Sequence, residues 1–230
     1  MSNATSRAAG ARLPERERRR RILEALARLY PDARTELRHD TPFQLLVATV
    51  LSAQCTDRRV NLITARLFPR HPDAEAIAAM TVEDLEAQIR DCGLFRSKAR
   101  HILQLSRLLV ERHGGEVPRD RAALEALPGV GRKTASVVLW SAFGIPAFAV
   151  DTHVLRVSHR LGLASDPTPL GTERELCRRV PRALWGPAHH WLILHGRRVC
   201  VARSPRCPSC PILPYCPEGL RREGPSPQER

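Results

Sequence analysis

Lysine is nearly absent from this chain, although the chain is strongly basic. Among 37 basic residues only Lys98 and Lys133 are lysine. A guanidinium stays protonated and cannot attack a carbon atom, whereas a lysine amine can attack once it has lost a proton. An isolated lysine is usually a surface cation, but Lys133 follows a Gly-Val-Gly turn, which can bring backbone N–H groups close to a phosphate at a helix start. Scarcity and turn together indicate a chemical role for Lys133.

Long apolar runs and a secretory signal are missing as well. The longest apolar stretch, Leu45 to Ala53, has about half of the roughly 20 residues that a membrane-spanning helix needs. The basic run Arg18–Arg21 leads into a charged amphipathic segment, which is not typical of a secretory signal. Seven cysteines, an odd number, do not indicate a secreted disulfide framework. We therefore expect a protein of a reducing cytoplasm with no membrane partner.

Acidic residues are too few to balance the basic ones. The formal net charge is +13 and the sequence pI is about 10.7. A charge of this size favours a polyanionic partner, with nucleic acid ahead of an anionic membrane. Residues 1–14 are predicted to be a flexible basic arm, and the proline-rich residues 217–230 a disordered tail.

Alternation with a period of two is also absent, so no sheet is predicted and the fold class is all-α. The pattern predicts a buried helix over Phe43–Leu51 that starts near Thr41-Pro42, and a helix from an N-cap at Thr56 to Leu67. Further helices are predicted from an N-cap at Ser97 to His113, and around Glu173–Trp185.

Four of the seven cysteines fall within seventeen residues, in the order Cys200-x6-Cys207-x2-Cys210-x5-Cys216. Prolines surround them, so the segment is predicted to be a tight loop holding a metal, either structural zinc or an iron–sulfur cluster. Zinc sites usually pair two short knuckles, and only one such pair is present, so the wider spacing favours iron–sulfur. The other three cysteines lie singly on predicted helices as free thiols: Cys55, Cys92 and Cys177.

Several motifs together resemble the endonuclease III family of helix-hairpin-helix DNA glycosylases, which carry a 4Fe–4S cluster. They are FQLLVATVLSAQCTD (43–57), GLFRSKA (93–99), LPGVGRKTA (127–135), AVDTHVLRV (149–157) and HHWLILHGRRVC (189–200), followed by the cysteine loop. The resemblance runs from about residue 20 to Cys216. It implies two lobes: a six-helix barrel of residues 35–147 with the hairpin at about 122–143, and an iron–sulfur domain of residues 15–34 with 148–216.

The resemblance also implies an activity. The chain is expected to remove oxidised pyrimidines from double-stranded DNA as a monomer and to cleave 3′ to the abasic site by β-elimination. Lys133 resembles the amine that forms a Schiff base with C1′. Asp151 resembles the carboxylate that assists base departure, although an aspartate at a helix start is also the preferred N-cap. The four loop cysteines resemble the ligands of the 4Fe–4S cluster.

DNA contacts are implied at two further places. Gln54 and Leu94 resemble the residues that wedge into the duplex when the damaged nucleotide is flipped out. The hairpin turn formed by Gly129, Val130 and Gly131 is expected to contact phosphates. The chain departs from the family at Cys55, where alanine or threonine is usual, and at Trp140-Ser141, where Asn-Thr is common.

Two other functions remain open from the residues. An adenine glycosylase of the mismatch-repair branch carries a similar cysteine loop, but it resembles a monofunctional enzyme without this lysine. A noncatalytic DNA-binding protein that senses redox state would keep the hairpin and the cysteines. It would have no reason to keep Lys133 and Asp151 together.

Overall fold

A computed structural model describes residues 13–223, which are helical and contain no strand. The predicted arm at 1–14 therefore lies almost wholly outside the described residues. None of the helices within 13–223 is long and apolar enough to cross a membrane. The described chain forms two compact units, one of residues 35–147 and the other of residues before 35 and after 147.

The unit of residues 35–147 is built around a buried helix. Its helices are α2 (Pro42–Leu51), α3 (Asp57–Leu67), α4 (Ala74–Ala78), α5 (Val82–Ile89), α6 (Phe95–His113), α7 (Arg121–Glu125) and α8 (Arg132–Phe143). Every residue of α2 after Pro42 is buried, because this helix is apolar on all faces and packs against α3, α6 and α8.

The other unit combines the first helix of the chain with the C-terminal ones. They are α1 (Glu15–Leu29), α9 (Thr152–Arg160), α10 (Pro169–Arg179), α11 (Trp185–Arg198) and α12 (Pro217–Glu223). Short 3₁₀ turns cover Arg182–Leu184 and Leu213–Tyr215. The apolar face of α1, with Ile22 and Leu26 fully buried, packs against α11, and α11 packs against α9.

Side-chain caps set most of the helix starts. Thr41 and Thr56 accept hydrogen bonds from the third following backbone N–H at 3.2 and 3.3 Å, which confirms the predicted starts of α2 and α3. Thr168 caps α10 in the same way at 3.0 Å, with Pro169 in the first turn. The helix predicted around Glu173–Trp185 is therefore wrong at both ends, since α10 begins at Pro169 and ends before Pro181.

Two other predicted boundaries are wrong. Helix α6 begins at Phe95 after Leu94, not at a Ser97 cap, because the backbone N–H of Lys98 already bonds to Leu94 O at 3.1 Å. Residues 217–223 form α12, where a disordered tail is predicted. This helix packs against α9, and its Gly219 N–H donates to Cys216 Sγ at 3.2 Å. Residues 224–230 lie outside the described part.

Candidate functional site

The hairpin turn between α7 and α8 leaves one side open. Gly129 has φ of +77°, and a Cβ there would lie 2.9 Å from His101 Cβ, so only glycine fits. Val130 is buried and anchors the turn. Gly131 is the N-cap of α8, and an added Cβ would meet no atom within 4 Å. Open space in front of a helix N-terminus allows an anion to contact the backbone N–H groups.

The two lysines lie in opposite environments within the same unit. Lys133 is exposed in the first turn of α8, beside the open turn. Lys98 is only 4% exposed, and its Nζ donates to Leu51 O at 2.9 Å, Ala53 O at 2.6 Å and Cys92 Sγ at 3.1 Å. Lys98 therefore stabilises the carboxyl end of α2, whereas the amine of Lys133 is accessible to a substrate.

Two loops beside Lys98 hold strained residues. Gln54 at φ +55° and Leu94 at φ +59° are the only non-glycine residues of 13–223 with positive φ. For side chains with a Cβ this conformation costs roughly 1–2 kcal/mol per residue. Both residues are exposed, Leu94 at 61%, which is unusual for so apolar a side chain. The structure thus presents an amide and an apolar side chain to solvent from strained positions.

Asp151 is the N-cap of α9 in the other unit. Its Oδ1 accepts a hydrogen bond from Val154 N–H at 2.8 Å, so the carboxylate is held at a fixed position at the helix start. The residue is half-buried, and its carboxylate also favours the charged form of nearby His153, although burial dominates and lowers the pKa of that histidine.

The four clustered cysteines line one cavity, together with Leu161, Leu213 and His195. Within residues 13–223 no three cysteine, histidine or carboxylate groups stand close enough to hold one metal ion. Four thiols around a shared cavity are a donor set that suits a metal centre.

The sulfur atoms receive hydrogen bonds suited to thiolates. Arg160 Nη1 lies 3.5 Å from Cys200 Sγ, and Gly219 N–H donates to Cys216 Sγ at 3.2 Å. A Cβ at Gly219 would lie 2.8 Å from Leu213 Cδ1, so a larger residue there would displace the Leu213 side chain. Burial raises the pKa of Cys216 to about 11, with smaller contributions from the neighbouring thiolates. A bound cationic group would reverse this effect, because metal coordination stabilises the thiolate.

Three arginines that the sequence analysis did not single out hold this loop. Arg160 donates to Val201 O at 2.8 Å and Ala202 O at 2.7 Å. Arg156 donates to Cys200 O at 3.2 Å, and Arg18 donates to Tyr215 O at 3.4 Å. In a chain with so many arginines no sequence signal distinguishes these three from surface cations.

The histidines near the cysteine loop are buried packing and hydrogen-bonding residues. His189 Nδ1 lies 2.7 Å from Ala149 O, and His195 Nδ1 lies 3.1 Å from the Tyr30 hydroxyl. Burial lowers the pKa of His195 to about 4 and that of His190 to about 3. Both rings are therefore neutral near pH 7.

Comparison with known proteins identifies the family of this chain. Residues 47–182 match the model of the HhH-GPD superfamily of base excision DNA repair proteins. The chain is 50% identical to endonuclease III of Bacillus subtilis (strain 168) over 202 residues, which are 87% of this chain and 92% of the relative. It is 49% identical to endonuclease III of Escherichia coli (strain K12), over 86% and 94% of the two chains.

The fold agrees as well. The structure of a non-covalent endonuclease III–DNA complex superposes with a TM-score of 0.86 at 49% identity, covering 91% of this chain and 99% of the other. The chain belongs to the endonuclease III family of DNA glycosylases and abasic-site lyases. The expected all-α fold and the expected family are thus confirmed.

Proposed function

We propose that this chain removes oxidised pyrimidines from double-stranded DNA and then cleaves the strand 3′ to the abasic site. The observation that carries this proposal is the exposed amine of Lys133 in the first turn of α8. It follows an open Gly-Val-Gly turn in a chain whose other lysine is buried and fully engaged. The match to a superfamily of base excision DNA repair proteins and the solved complex of endonuclease III with DNA support DNA as the substrate.

The chemistry follows from the amine. Neutral Lys133 attacks C1′ as the C1′–N bond to the damaged base breaks, and the departing base takes the bonding electron pair and a proton. The C1′–O4′ bond then breaks, and O4′ takes up a proton from the nitrogen, so the sugar ring opens and an imine joins Lys133 to C1′. The imine makes the C2′ proton acidic, and loss of that proton expels the 3′ phosphate by β-elimination. Asp151 stabilises the positive charge that develops on the sugar and assists the proton transfers. Its bond to Val154 fixes the direction of the carboxylate.

Access to C1′ requires the nucleotide to leave the base stack. Gln54 and Leu94 are proposed to enter the vacated space, an amide opposite the orphaned base and an apolar side chain in the stack. Their exposure and left-handed backbone support this role, because strained residues persist where a function requires their orientation. Gly129, Val130 and Gly131 are proposed to bind the phosphates beside the lesion.

Cys200, Cys207, Cys210 and Cys216 are proposed to hold a 4Fe–4S cluster. The shared cavity and the N–H groups directed at two of the sulfurs support this ligand set. When bound, the cluster supplies a rigid cross-link for a loop that has few helical hydrogen bonds of its own.

Lys133→Arg tests the proposal. Arginine keeps the positive charge and the attraction for phosphate, so folding and DNA affinity should change little. It cannot attack C1′, so borohydride added during turnover should trap a covalent enzyme–DNA adduct with the parent protein and none with the variant. Gel electrophoresis of labelled duplex measures the adduct.

Asp151→Asn is the complementary variant. It removes the carboxylate charge that stabilises the developing positive charge on the sugar, so base release should collapse. It keeps the amine and a capping side chain, so trapping at a preformed abasic site should survive. Equal trapping by the parent and by Lys133→Arg would exclude Lys133 as the nucleophile. The proposal would then fail, because the other lysine, Lys98, is buried and cannot take the place of Lys133.

A further inference from the structure

Two cysteines that the proposed reaction does not use, Cys55 and Cys92, lie in the loops that hold the strained residues Gln54 and Leu94. These two loops are called here the wedge loops. Cys92 is 2% exposed, and its Sγ lies 3.3 Å from Leu51 O and 3.1 Å from Lys98 Nζ. The half-buried Cys55 packs against the core cluster that contains Cys92, and the side chains of the two cysteines interact. Two thiols and one ammonium group therefore form a contiguous cluster, called here the Cys55–Cys92–Lys98 cluster.

The two cysteines belong to the loops that carry the proposed wedge residues. Cys55 directly follows Gln54, and Cys92 precedes Leu94 by two positions. The loops are adjacent, since a Cβ at the intervening Gly93 would lie 3.6 Å from Gln54 O. A covalent bond between the two sulfurs would thus join the loops beside both wedge residues.

The two thiols differ in accessibility. Cys55 is partly exposed, so a small solute in water reaches it first. Cys92 is enclosed, and burial raises the pKa of its thiol, although the Lys98 ammonium opposes that effect. An accessible thiol in contact with a buried second thiol is the arrangement of an initial and a resolving cysteine.

We propose that Cys55 and Cys92 form a peroxide-reactive pair that closes to a disulfide. The Cys55 thiolate attacks one oxygen of hydrogen peroxide, which breaks the O–O bond and yields a sulfenic acid and hydroxide. The hydroxide takes up the proton that the Cys55 thiol released and becomes water. Cys92 then attacks Cys55 Sγ and displaces hydroxide, which leaves as a second water with the proton of Cys92. Two thiols are oxidised and one peroxide is reduced to two waters.

The disulfide would change the wedge loops. A disulfide requires the two Cβ atoms to lie about 3.5–4.5 Å apart with a fixed torsion, and the new bond displaces Cys92 Sγ from Lys98 Nζ. Gln54 and Leu94 then lose the positions that the Cys55–Cys92–Lys98 cluster supports. This consequence rests on the proposed function, whereas the oxidation itself does not.

The oxidation is tested on the purified, cluster-loaded protein with limiting hydrogen peroxide, while visible absorption confirms that the cluster remains. We expect mass spectrometry without reductant to show a peptide pair linked through Cys55 and Cys92 with the loss of two hydrogens. Dithiothreitol should reverse it. Cys55→Ser should abolish the link, whereas Cys177→Ser, which alters a partly buried cysteine outside the pair, should not. Sulfinic acid at Cys55 without a link, or an oxygen-containing bridge between Cys92 and Lys98, would overturn the proposal.

The consequence is tested by incision of two duplexes, one with an oxidised pyrimidine and one with a preformed abasic site. The oxidised protein should lose at least tenfold on the base lesion and much less at the abasic site, with recovery after reduction. Loss on both, or on neither, would overturn the inferred effect on the wedge loops. If the reduced protein cleaves neither substrate, the proposed function fails, and the mass measurement still decides whether the disulfide forms.

Discussion

At the scale of single residues, the same residue type serves two purposes in this chain. Lysine is used twice, once exposed at a helix start and once buried at a helix end. The exposed position suits an amine that must meet a substrate. The buried one suits a compact cation with several donors, since three acceptors surround Lys98 Nζ and a planar guanidinium could not reach them in the same geometry.

Lys98→Met should destabilise the unit of residues 35–147. Methionine fills similar space but leaves the carbonyl of Leu51 without the Lys98 ammonium, and a buried acceptor that loses its partner costs about 1–3 kcal/mol. Urea unfolding should therefore show a lower midpoint with an unchanged slope. Lys133→Met is the matched control, because this lysine is exposed, and it should unfold like the parent. Equal midpoints for Lys98→Met and the parent would contradict the structural role.

At the scale of elements, the wedge loops and the cysteine loop are both irregular segments held by side chains. Gln54→Ala with Leu94→Ala should slow excision of a base from an intact duplex much more than incision at a preformed abasic site. Less stacking must be broken at an abasic site, so the wedge matters less there. Single-turnover rates on the two duplexes measure the difference. Leu62→Ala is the control, because Leu62 is also an exposed apolar residue but lies on α3. Equal losses on both duplexes would assign Gln54 and Leu94 a structural role.

The cysteine loop should carry iron. The purified protein is expected to be yellow-brown, with about four irons per chain and broad visible absorption, as a cubane with four thiolate ligands requires. Cys207→Ser should lower stability and iron content together, since the order of the loop depends on the metal. Cys177→Ser should keep both, because it lies outside the loop. One zinc per colourless chain would contradict the assignment.

At the scale of the whole molecule, charge governs the encounter with DNA. The net charge of +13 predicts binding that weakens steeply with salt. The logarithm of the association constant should fall with the logarithm of salt concentration, with a slope of about −0.9 per phosphate neutralised. Fluorescence anisotropy at several salt concentrations gives the slope, and Lys133→Arg should leave it unchanged because the charge is kept. A slope near zero would contradict binding through phosphate contacts.

Local chemistry in the sequence was sufficient for much of the fold. A continuous apolar run identified α2, threonines marked the starts of α2 and α3, and the motifs identified the family. These features depend on residues a few positions apart, so they can be predicted before the chain is folded. The hairpin glycines belong to the same group, because φ of +77° at Gly129 is a local requirement.

Tertiary structure decided the rest, because it depends on residues far apart in the chain. The burial of Lys98 follows from carbonyls more than forty positions earlier, and no local pattern encodes it. Helix α6 begins at Phe95 and not after Ser97, and Leu94 has a left-handed backbone, next to these contacts of Lys98. Helix α12 exists where composition predicts disorder, since it packs on α9 and on the cysteine loop. The sequence alone identified the residues that are proposed to carry the chemistry, and the packed chain decided that Lys133 is exposed whereas Lys98 is buried.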